Sequence, residues 1–145
     1  MKTLLLLFVF IVTGSNASDI NSLIGNAGCL VKHNDKVLLV TQNSGKFSIP
    51  GGLANSNETA VQTAIRETYE ETQIVVEATS LLKQFSNGFY IFACKIKKYP
   101  KELKPTVLYL FEIRDVGFYD ISRLKKEELR YPSQYELYLQ FQKKD

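Results

Sequence analysis

A polar loop that leads into an acidic helix, at residues 52–74, is the most distinctive stretch of this 145-residue sequence. The chain turns at Pro50-Gly51-Gly52, and apolar residues then recur at helical spacing. This spacing predicts a helix over residues 58–73, with either Ser56 or Asn57 as its N-cap. The rest of the chain is expected to be the scaffold that positions this loop and helix.

The predicted helix has an apolar face and an acidic face. Its inner face consists of Val61, Ala64, Ile65 and Thr68. Glu67, Glu70 and Glu71 share a separate arc of roughly 100°. Carboxylates within one helical turn repel one another unless a cation or an arginine compensates their negative charge. Since Mg²⁺ prefers oxygen ligands, the cluster suits a divalent metal site, although glutamates on a helix, taken alone, more often belong to a solvated face.

The register of the charged residues favours the metal site. Gly52, Glu58 and the run Arg66-Glu67-Thr68-Tyr69-Glu70-Glu71-Thr72-Gln73-Ile74 resemble the Nudix box, G-x5-E-x7-R-E-U-x-E-E-x-G-U, where U is a bulky apolar residue. Every charged position of the box matches. The resemblance implies a Nudix-type α/β/α sandwich with a mixed β-sheet, plausible over residues 25–141.

The resemblance also implies the ligands of a metal ion. Glu67, Glu70 and Glu71 would bind Mg²⁺ or Mn²⁺, and the Gly52 carbonyl would add a further ligand. Glu67 is the first candidate for the general base. The implied cofactor is therefore a divalent cation held by the acidic helix.

Further roles follow for residues around these ligands. Arg66 would orient the glutamates, and Glu58 would fix the loop to the helix through Arg66. Family members often recruit one more carboxylate from outside the box, for which Glu112 is the first candidate and Glu102 the second. Tyr90 lies where relatives acting on dinucleoside polyphosphates often have a tyrosine, but it is expected to be an ordinary strand residue.

The implied activity is hydrolysis of a pyrophosphate bond in a nucleoside diphosphate linked to another moiety. A small-molecule partner fits the composition, because the net charge is only +3 and the basic residues are scattered, so no nucleic-acid polymer is expected. Two alternatives remain open. One is a catalytically silent Nudix-fold module that binds a nucleotide or regulates a partner, and the other is a metal-dependent isomerase of the same fold.

Three positions depart from the family pattern. Thr68 replaces a bulky apolar residue, and its β-branched side chain is expected to pack in the same place. Asn57 stands where many relatives have glycine. Gln73 replaces the last glycine of the box, which normally leaves the helix with a left-handed backbone, so the helix exit is expected to be strained or altered.

The first residues have the pattern of a secretory signal peptide. Lys2 precedes an unbroken apolar run at residues 4–12, and Ser15 and Ala17 have the spacing of a cleavage site. We therefore expect a signal peptide at residues 1–17, a domain at residues 18–145, and export to the periplasm or the extracellular space. The alternatives are an uncleaved membrane anchor and a buried N-terminal strand. In an oxidising compartment Cys29 and Cys94 can form a disulfide, but both also fit as small buried residues.

The remaining elements follow from apolar runs and turn residues. Residues 27–31 and 37–40 are predicted to form a hairpin through a turn that contains His33, the only histidine. Short strands are predicted at residues 74–76 and 81–82, and longer ones at 89–96 and 107–113. After a break at residues 115–117, Asp120 is expected to cap a helix that ends near Leu129, and a last helix is expected to begin at Pro132.

Overall fold

The computed structural model describes residues 20–144 and confirms the mixed α/β architecture. The predicted signal peptide lies outside the described residues. The strands are β1 (Ala27–His33), β2 (Lys36–Gln42), β3 (Phe47–Ser48), β4 (Gly51–Gly52), β5 (Val75–Gln84), β6 (Tyr90–Lys98) and β7 (Ile113–Tyr119). The helices are α1 (Ala60–Thr72) and α2 (Tyr135–Lys143). No helix within residues 20–144 has the length and apolar character needed to cross a bilayer.

The seven strands form one mixed sheet around β1. The order is β3-β2-β1-β6-β5, with β4 also paired to β1 and β7 to β2. The β1–β6 pair is parallel and the other pairs are antiparallel. Asn34 and Asp35 both adopt positive φ in the predicted β1–β2 turn, as a tight hairpin requires. This topology places β4 beside the central strand β1, where Gly51 and Gly52 contact Glu71 and Glu67 of α1.

Alternating side chains of the central strands build a core on each face of the sheet. On β1, Cys29 and Val31 join the core beneath α1, whereas Leu30 joins the core beneath α2. Ala64 of α1 and Tyr138 of α2 are almost fully buried in these two cores. The helices therefore cover opposite faces, which is the predicted α/β/α sandwich.

Cys29 and Cys94 form a disulfide between the parallel strands β1 and β6. Their Cα atoms are 5.6 Å apart, within the usual range for a disulfide, and the bond closes a sequence separation of 65 residues. Both cysteines lie in the core beneath α1. The choice left open by the sequence is thus resolved in favour of the bond.

The predicted strand over residues 107–113 is wrong. Val107–Tyr109 is a 3₁₀ helix, and the next strand begins only at Ile113. Val107, Leu108 and Phe111 are strongly exposed, so the β-forming residues of this segment have no sheet to pack against. The predicted break at residues 115–117 is also wrong, because β7 continues through it and Gly117 pairs with Leu39 of β2.

Several predicted boundaries move. The N-cap of α1 is Thr59 rather than Ser56 or Asn57, because Thr59 and Gln62 form a capping box. Asn57 instead adopts a left-handed conformation in the loop, with φ 64°. The two short strands predicted after α1 are one strand, β5, which contains several register shifts.

The helix predicted between Asp120 and Leu129 is replaced by two short 3₁₀ helices, Ile121–Arg123 and Lys126–Glu128. Asp120 does act as a cap, since its side chain accepts a hydrogen bond from the Ser122 backbone N–H. Another 3₁₀ helix, Pro132–Gln134, leads directly into α2, so the predicted start of the last helix is confirmed in position.

The exit of α1 keeps the left-handed backbone despite the missing glycine. Gln73 has φ 61° and ψ 9°, and its backbone N–H donates to the Tyr69 carbonyl. Its side-chain amide donates to the carbonyl of Lys104 over 3.1 Å. This contact ties the loop after β6 to the helix end and offsets part of the conformational cost of a non-glycine residue.

Candidate active site

A cavity of about 620 Å³ opens beside β4 and α1. The cavity is lined by side chains from segments far apart in the sequence, including the 3₁₀ turn after Thr106 and the segment before α2. Its lining residues are Asn26, Gln42, Ser48, Ile49, Gly51, Gly52, Leu53, Asn55, Arg66, Glu67, Glu71, Asn87, Phe89, Tyr109, Glu112, Arg130, Tyr131 and Gln134.

Glu67 and Glu71 are the two buried carboxylates of this cavity. Only 5% of Glu67 and 6% of Glu71 is exposed. A β-carbon added to Gly52 would lie 2.6 Å from the Glu67 carboxylate carbon, so the absence of a side chain there makes room for this group. Glu71 accepts a hydrogen bond from the Gly51 N–H over 3.2 Å. The acidic face of α1 is therefore buried against β4 and is not a solvated arc.

Arg66 links the loop to the acidic helix as the sequence predicted. It donates twice to Glu58, at 2.7 and 2.9 Å, and a single Nη1 donates to Glu67 and Glu70, both at 2.9 Å. A fifth hydrogen bond reaches the Leu53 carbonyl at 2.8 Å. These bonds use all five donors of the guanidinium. Arg66 thus joins three carboxylates to the backbone that follows Gly52.

The surroundings of these carboxylates shift their pKa values in different directions. Hydrogen bonds from Arg66 lower the pKa of Glu58 to about 2. Burial raises the pKa of Glu67 and outweighs the opposing effect of Arg66. Burial, reinforced by Glu67 and Glu112, raises the pKa of Glu71 to about 8. Arg66 therefore holds Glu58 ionised, whereas burial favours the neutral form of Glu71 and, despite the bond from Arg66, of Glu67.

Glu70 lies apart from the two buried glutamates and points towards Arg66. The Tyr109 hydroxyl lies beside it, and burial together with the Glu70 carboxylate raises the pKa of Tyr109. Among residues 20–144, no three acidic, histidine or cysteine side chains are already gathered as a metal-ligand group. The structure thus brings Glu67 and Glu71 into the cavity with Gly52, and leaves Glu70 engaged with Arg66 and Tyr109.

The carboxylate candidates outside the box differ in position. Glu112 lines the cavity, and its charge raises the pKa of Glu71. Glu102 is exposed, pairs with Lys104 at 2.7 Å, and does not line the cavity. Tyr90 packs against the core beneath α1, and His33 packs against Phe118 with 5.5 Å between ring centroids, so neither residue reaches the site.

Sequence reasoning missed Tyr109 and Arg130. Tyr109 was assigned to a strand, and the 3₁₀ turn instead places it over the glutamates. Arg130 precedes α2 and enters the cavity because its N–H donates to the Phe47 carbonyl over 2.7 Å. No local motif marks either position, since both depend on contacts between distant segments.

Comparison with known proteins agrees with this architecture. Residues 23–141 match the NUDIX domain. An ADP-ribose pyrophosphatase from Streptococcus suis is 22% identical with a TM-score of 0.64, and the alignment covers 83% of this chain and 92% of that one. A NUDIX hydrolase from Nitrosomonas europaea is 22% identical with a TM-score of 0.66, covering 83% and 71%. An Ap4A hydrolase from C. elegans is 18% identical with a TM-score of 0.62, covering 80% and 94%. No curated protein matches the chain by sequence.

The likeness to these structures is a likeness of fold, because the identities are low. The family follows from the domain match, which spans most of the chain, and from the box residues that the fold brings together at β4 and α1. The sequence-based expectation of a Nudix hydrolase is thereby confirmed. This chain belongs to the Nudix hydrolase family.

Proposed function

We propose that this chain is a metal-dependent pyrophosphohydrolase that cleaves a small nucleoside diphosphate linked to another moiety. The observation that carries the proposal is the pair of nearly buried carboxylates, Glu67 and Glu71, facing one cavity. Arg66 compensates Glu67 in part, and no ion pair compensates Glu71 among residues 20–144. Buried carboxylates of this kind are costly unless a cation joins them.

The donor set fits Mg²⁺ or Mn²⁺. Glu67 and Glu71 supply carboxylate oxygens, and the Gly52 carbonyl belongs to the strand against which Glu67 packs. Glu70 would join them after releasing Arg66. Such hard cations take oxygen ligands and retain waters and substrate phosphates in the remaining positions. When bound, the ion neutralises phosphate charge and lowers the pKa of a bound water.

The protein residues have separate roles in the proposed reaction. Glu67 accepts the proton of the attacking water as general base. The water oxygen bonds to one phosphorus, the bridging P–O bond breaks, and two phosphoryl products leave. Arg66 orients Glu67 and Glu70, Glu58 holds Arg66 to the loop, and Glu112 is the additional carboxylate.

The cavity volume of about 620 Å³ falls within the range of small-molecule sites. Two fold relatives named above motivate ADP-ribose and diadenosine tetraphosphate as test compounds, and a UDP-sugar and a nucleoside triphosphate complete the panel. With Mg²⁺ or Mn²⁺, the protein is expected to convert at least one nucleoside diphosphate derivative into two phosphoryl products, resolved by ion-exchange chromatography. EDTA is expected to stop the reaction.

The same panel separates the alternatives. Metal binding by calorimetry without turnover of any compound would favour the silent binding module. A rearranged product without cleavage would favour the isomerase. Either result would contradict the proposed hydrolysis.

The proposal includes an exported domain at residues 18–145, with the membrane involved only during export. The Cys29–Cys94 disulfide supports this, because disulfides persist in oxidising compartments and are rare in the cytosol. N-terminal sequencing of the protein from its native host is expected to begin at Ser18. A sequence that begins at Met1 would contradict cleavage.

A further inference from the structure

Among residues 20–144, two cationic side chains line the cavity, those of Arg66 and Arg130. The five hydrogen bonds of Arg66 go to Glu58, Glu67, Glu70 and the Leu53 carbonyl, so this guanidinium has no donor left for a ligand. Arg130 is different. Among residues 20–144 it forms no ion pair, and its side chain is exposed at the cavity.

The backbone holds Arg130 at the edge of the cavity. Leu129, only 2% exposed, forms a parallel bridge with Phe47, and the Arg130 N–H donates to the Phe47 carbonyl over 2.7 Å. The guanidinium carbon lies 5.2 Å from the centre of the Tyr131 ring, within the range of a cation–π contact. These contacts hold the positive charge of Arg130 at the edge of the cavity. They leave the N–H donors of its guanidinium without carboxylate partners among the described residues.

The charge distribution of the cavity explains what such a cation is suited to bind. The carboxyl groups of Glu67, Glu71 and Glu112 line the cavity together with Arg130, and the charge of Arg130 favours the ionised form of Glu71. A pyrophosphate entering this cavity adds more negative charge. A divalent cation on the glutamates would compensate part of the negative charge of the ligand, and a second cation would compensate more of it. A guanidinium suits this role, because it binds phosphate oxygens with paired donors.

We propose that Arg130 binds non-bridging phosphate oxygens of the substrate in the cavity that it lines together with Glu67 and Glu71. This deepens the proposed function and rests on it, because it assigns a substrate-binding residue to the same site. The substrate class is thereby narrowed to compounds whose phosphates reach both the glutamates and Arg130. Tyr131 acts through Arg130 by holding the plane of the guanidinium.

The test compares Arg130→Gln, Arg130→Lys and the control Arg114→Gln. Arg114 is likewise exposed and without an ion pair among the described residues, but it does not line the cavity. Arg130→Gln keeps the backbone bond to Phe47, so its thermal unfolding midpoint is expected to match that of the parent. Calorimetry measures the Kd of ADP and of inorganic pyrophosphate in the presence of Ca²⁺, and steady-state kinetics measure kcat and KM for the panel compound that is hydrolysed.

Arg130→Gln is expected to weaken ADP and pyrophosphate binding by about 10- to 100-fold, the loss typical of a charge-assisted hydrogen bond. KM should rise more than kcat falls, Arg130→Lys should recover part of the affinity, and Arg114→Gln should bind as the parent does. Parental affinity and KM in Arg130→Gln would overturn the assignment.

The two proposals fail in different ways. If the parent hydrolyses a panel compound and Arg130→Gln is unchanged, the role of Arg130 is wrong and the proposed function stands. If the parent binds ADP but hydrolyses nothing, the proposed function is wrong, and the Kd comparison still decides the role of Arg130. If the parent binds neither ADP nor pyrophosphate with a divalent cation present, both proposals are wrong.

Discussion

The carboxylate of Glu67 lies directly against the backbone of Gly52. A β-carbon added to Gly52 would lie 2.6 Å from the carboxylate carbon of Glu67, and 2.6 and 2.9 Å from its two carboxylate oxygens. This contact gives the glycine of the box a steric reason in addition to its place in a turn. The loop and the helix are thereby fitted to each other at the residue proposed to act as general base.

Gly52→Ala is therefore expected to displace the Glu67 carboxylate. Since a displacement of about 1 Å at a catalytic group can cost about 100-fold in rate, hydrolysis should fall by at least that factor. Circular dichroism and the unfolding midpoint serve as controls and should show a folded protein. Hydrolysis at the parental rate in a folded Gly52→Ala protein would mean that Glu67 is not held in place by this contact.

The ion pair of Glu58 and Arg66 is expected to make part of the free energy of unfolding depend on pH below about 4.5. The pKa of Glu58 is about 2 in the folded protein and its ordinary value is 4.5. A lowered pKa contributes stability that is fully present above about pH 4.5 and is lost as the pH falls towards 2. Glu58→Gln should therefore be less stable than the parent at pH 7, by about 1–2 kcal/mol. The difference should shrink between pH 4.5 and 2, as measured by urea unfolding, and a pH-independent difference would contradict the assignment.

Two small replacements of Gln73 are expected to differ in stability. Gln73→Ala loses the bond to the Lys104 carbonyl and keeps a non-glycine residue at φ 61°. Gln73→Gly loses the same bond but removes the left-handed strain. The alanine variant is thus expected to be less stable than the glycine variant by about 1 kcal/mol, as measured by urea unfolding. Equal stabilities would show that the α1 exit stores no strain.

The disulfide predicts a large stabilisation that does not depend on the active site. Reduction, or the double change Cys29→Ala with Cys94→Ala, is expected to cost about 2–4 kcal/mol, because the bond closes a long loop in the unfolded chain. Neither cysteine lines the cavity, so kcat of the folded protein should remain near the parental value. The double variant controls for the reductant, since its stability should not respond to it. Two free thiols by mass spectrometry in the oxidised parent would contradict the bond.

The box residues were predictable because their roles are encoded in fixed spacing. Arg66 binds Glu58 and the carbonyl of Leu53, the residue after Gly52, and the sandwich follows from the apolar strands on either side. The burial of Glu67 and Glu71 was not predictable, because helical periodicity assigns charged residues to the solvent side. Only the fold shows that β4 covers them.

The remaining errors also come from tertiary contacts. The segment after Thr106 has the composition of a strand, but the N–H of Thr106 donates to the Glu70 carbonyl at 2.8 Å, and the segment turns over α1 instead of entering the sheet. Thr59 caps α1 because Thr59 and Gln62 exchange side-chain to backbone hydrogen bonds in a capping box. Several polar residues in the loop are equally suitable caps by type, so the sequence alone did not single out Thr59. Arg130 reaches the cavity through a contact between segments more than 80 residues apart, Phe47 and Arg130, which no local pattern encodes.

The central claim, that Glu67 is the base of a metal-dependent hydrolysis, is tested most directly by the turnover of Glu67→Gln. The measurement is kcat with Mg²⁺ or Mn²⁺ for the panel compound that the parent hydrolyses, with Glu136→Gln, an exposed glutamate on α2, as the matched control. Loss of a general base predicts a fall of about 10²- to 10⁴-fold in Glu67→Gln and parental turnover in Glu136→Gln. Turnover of Glu67→Gln at the parental rate would contradict the mechanism.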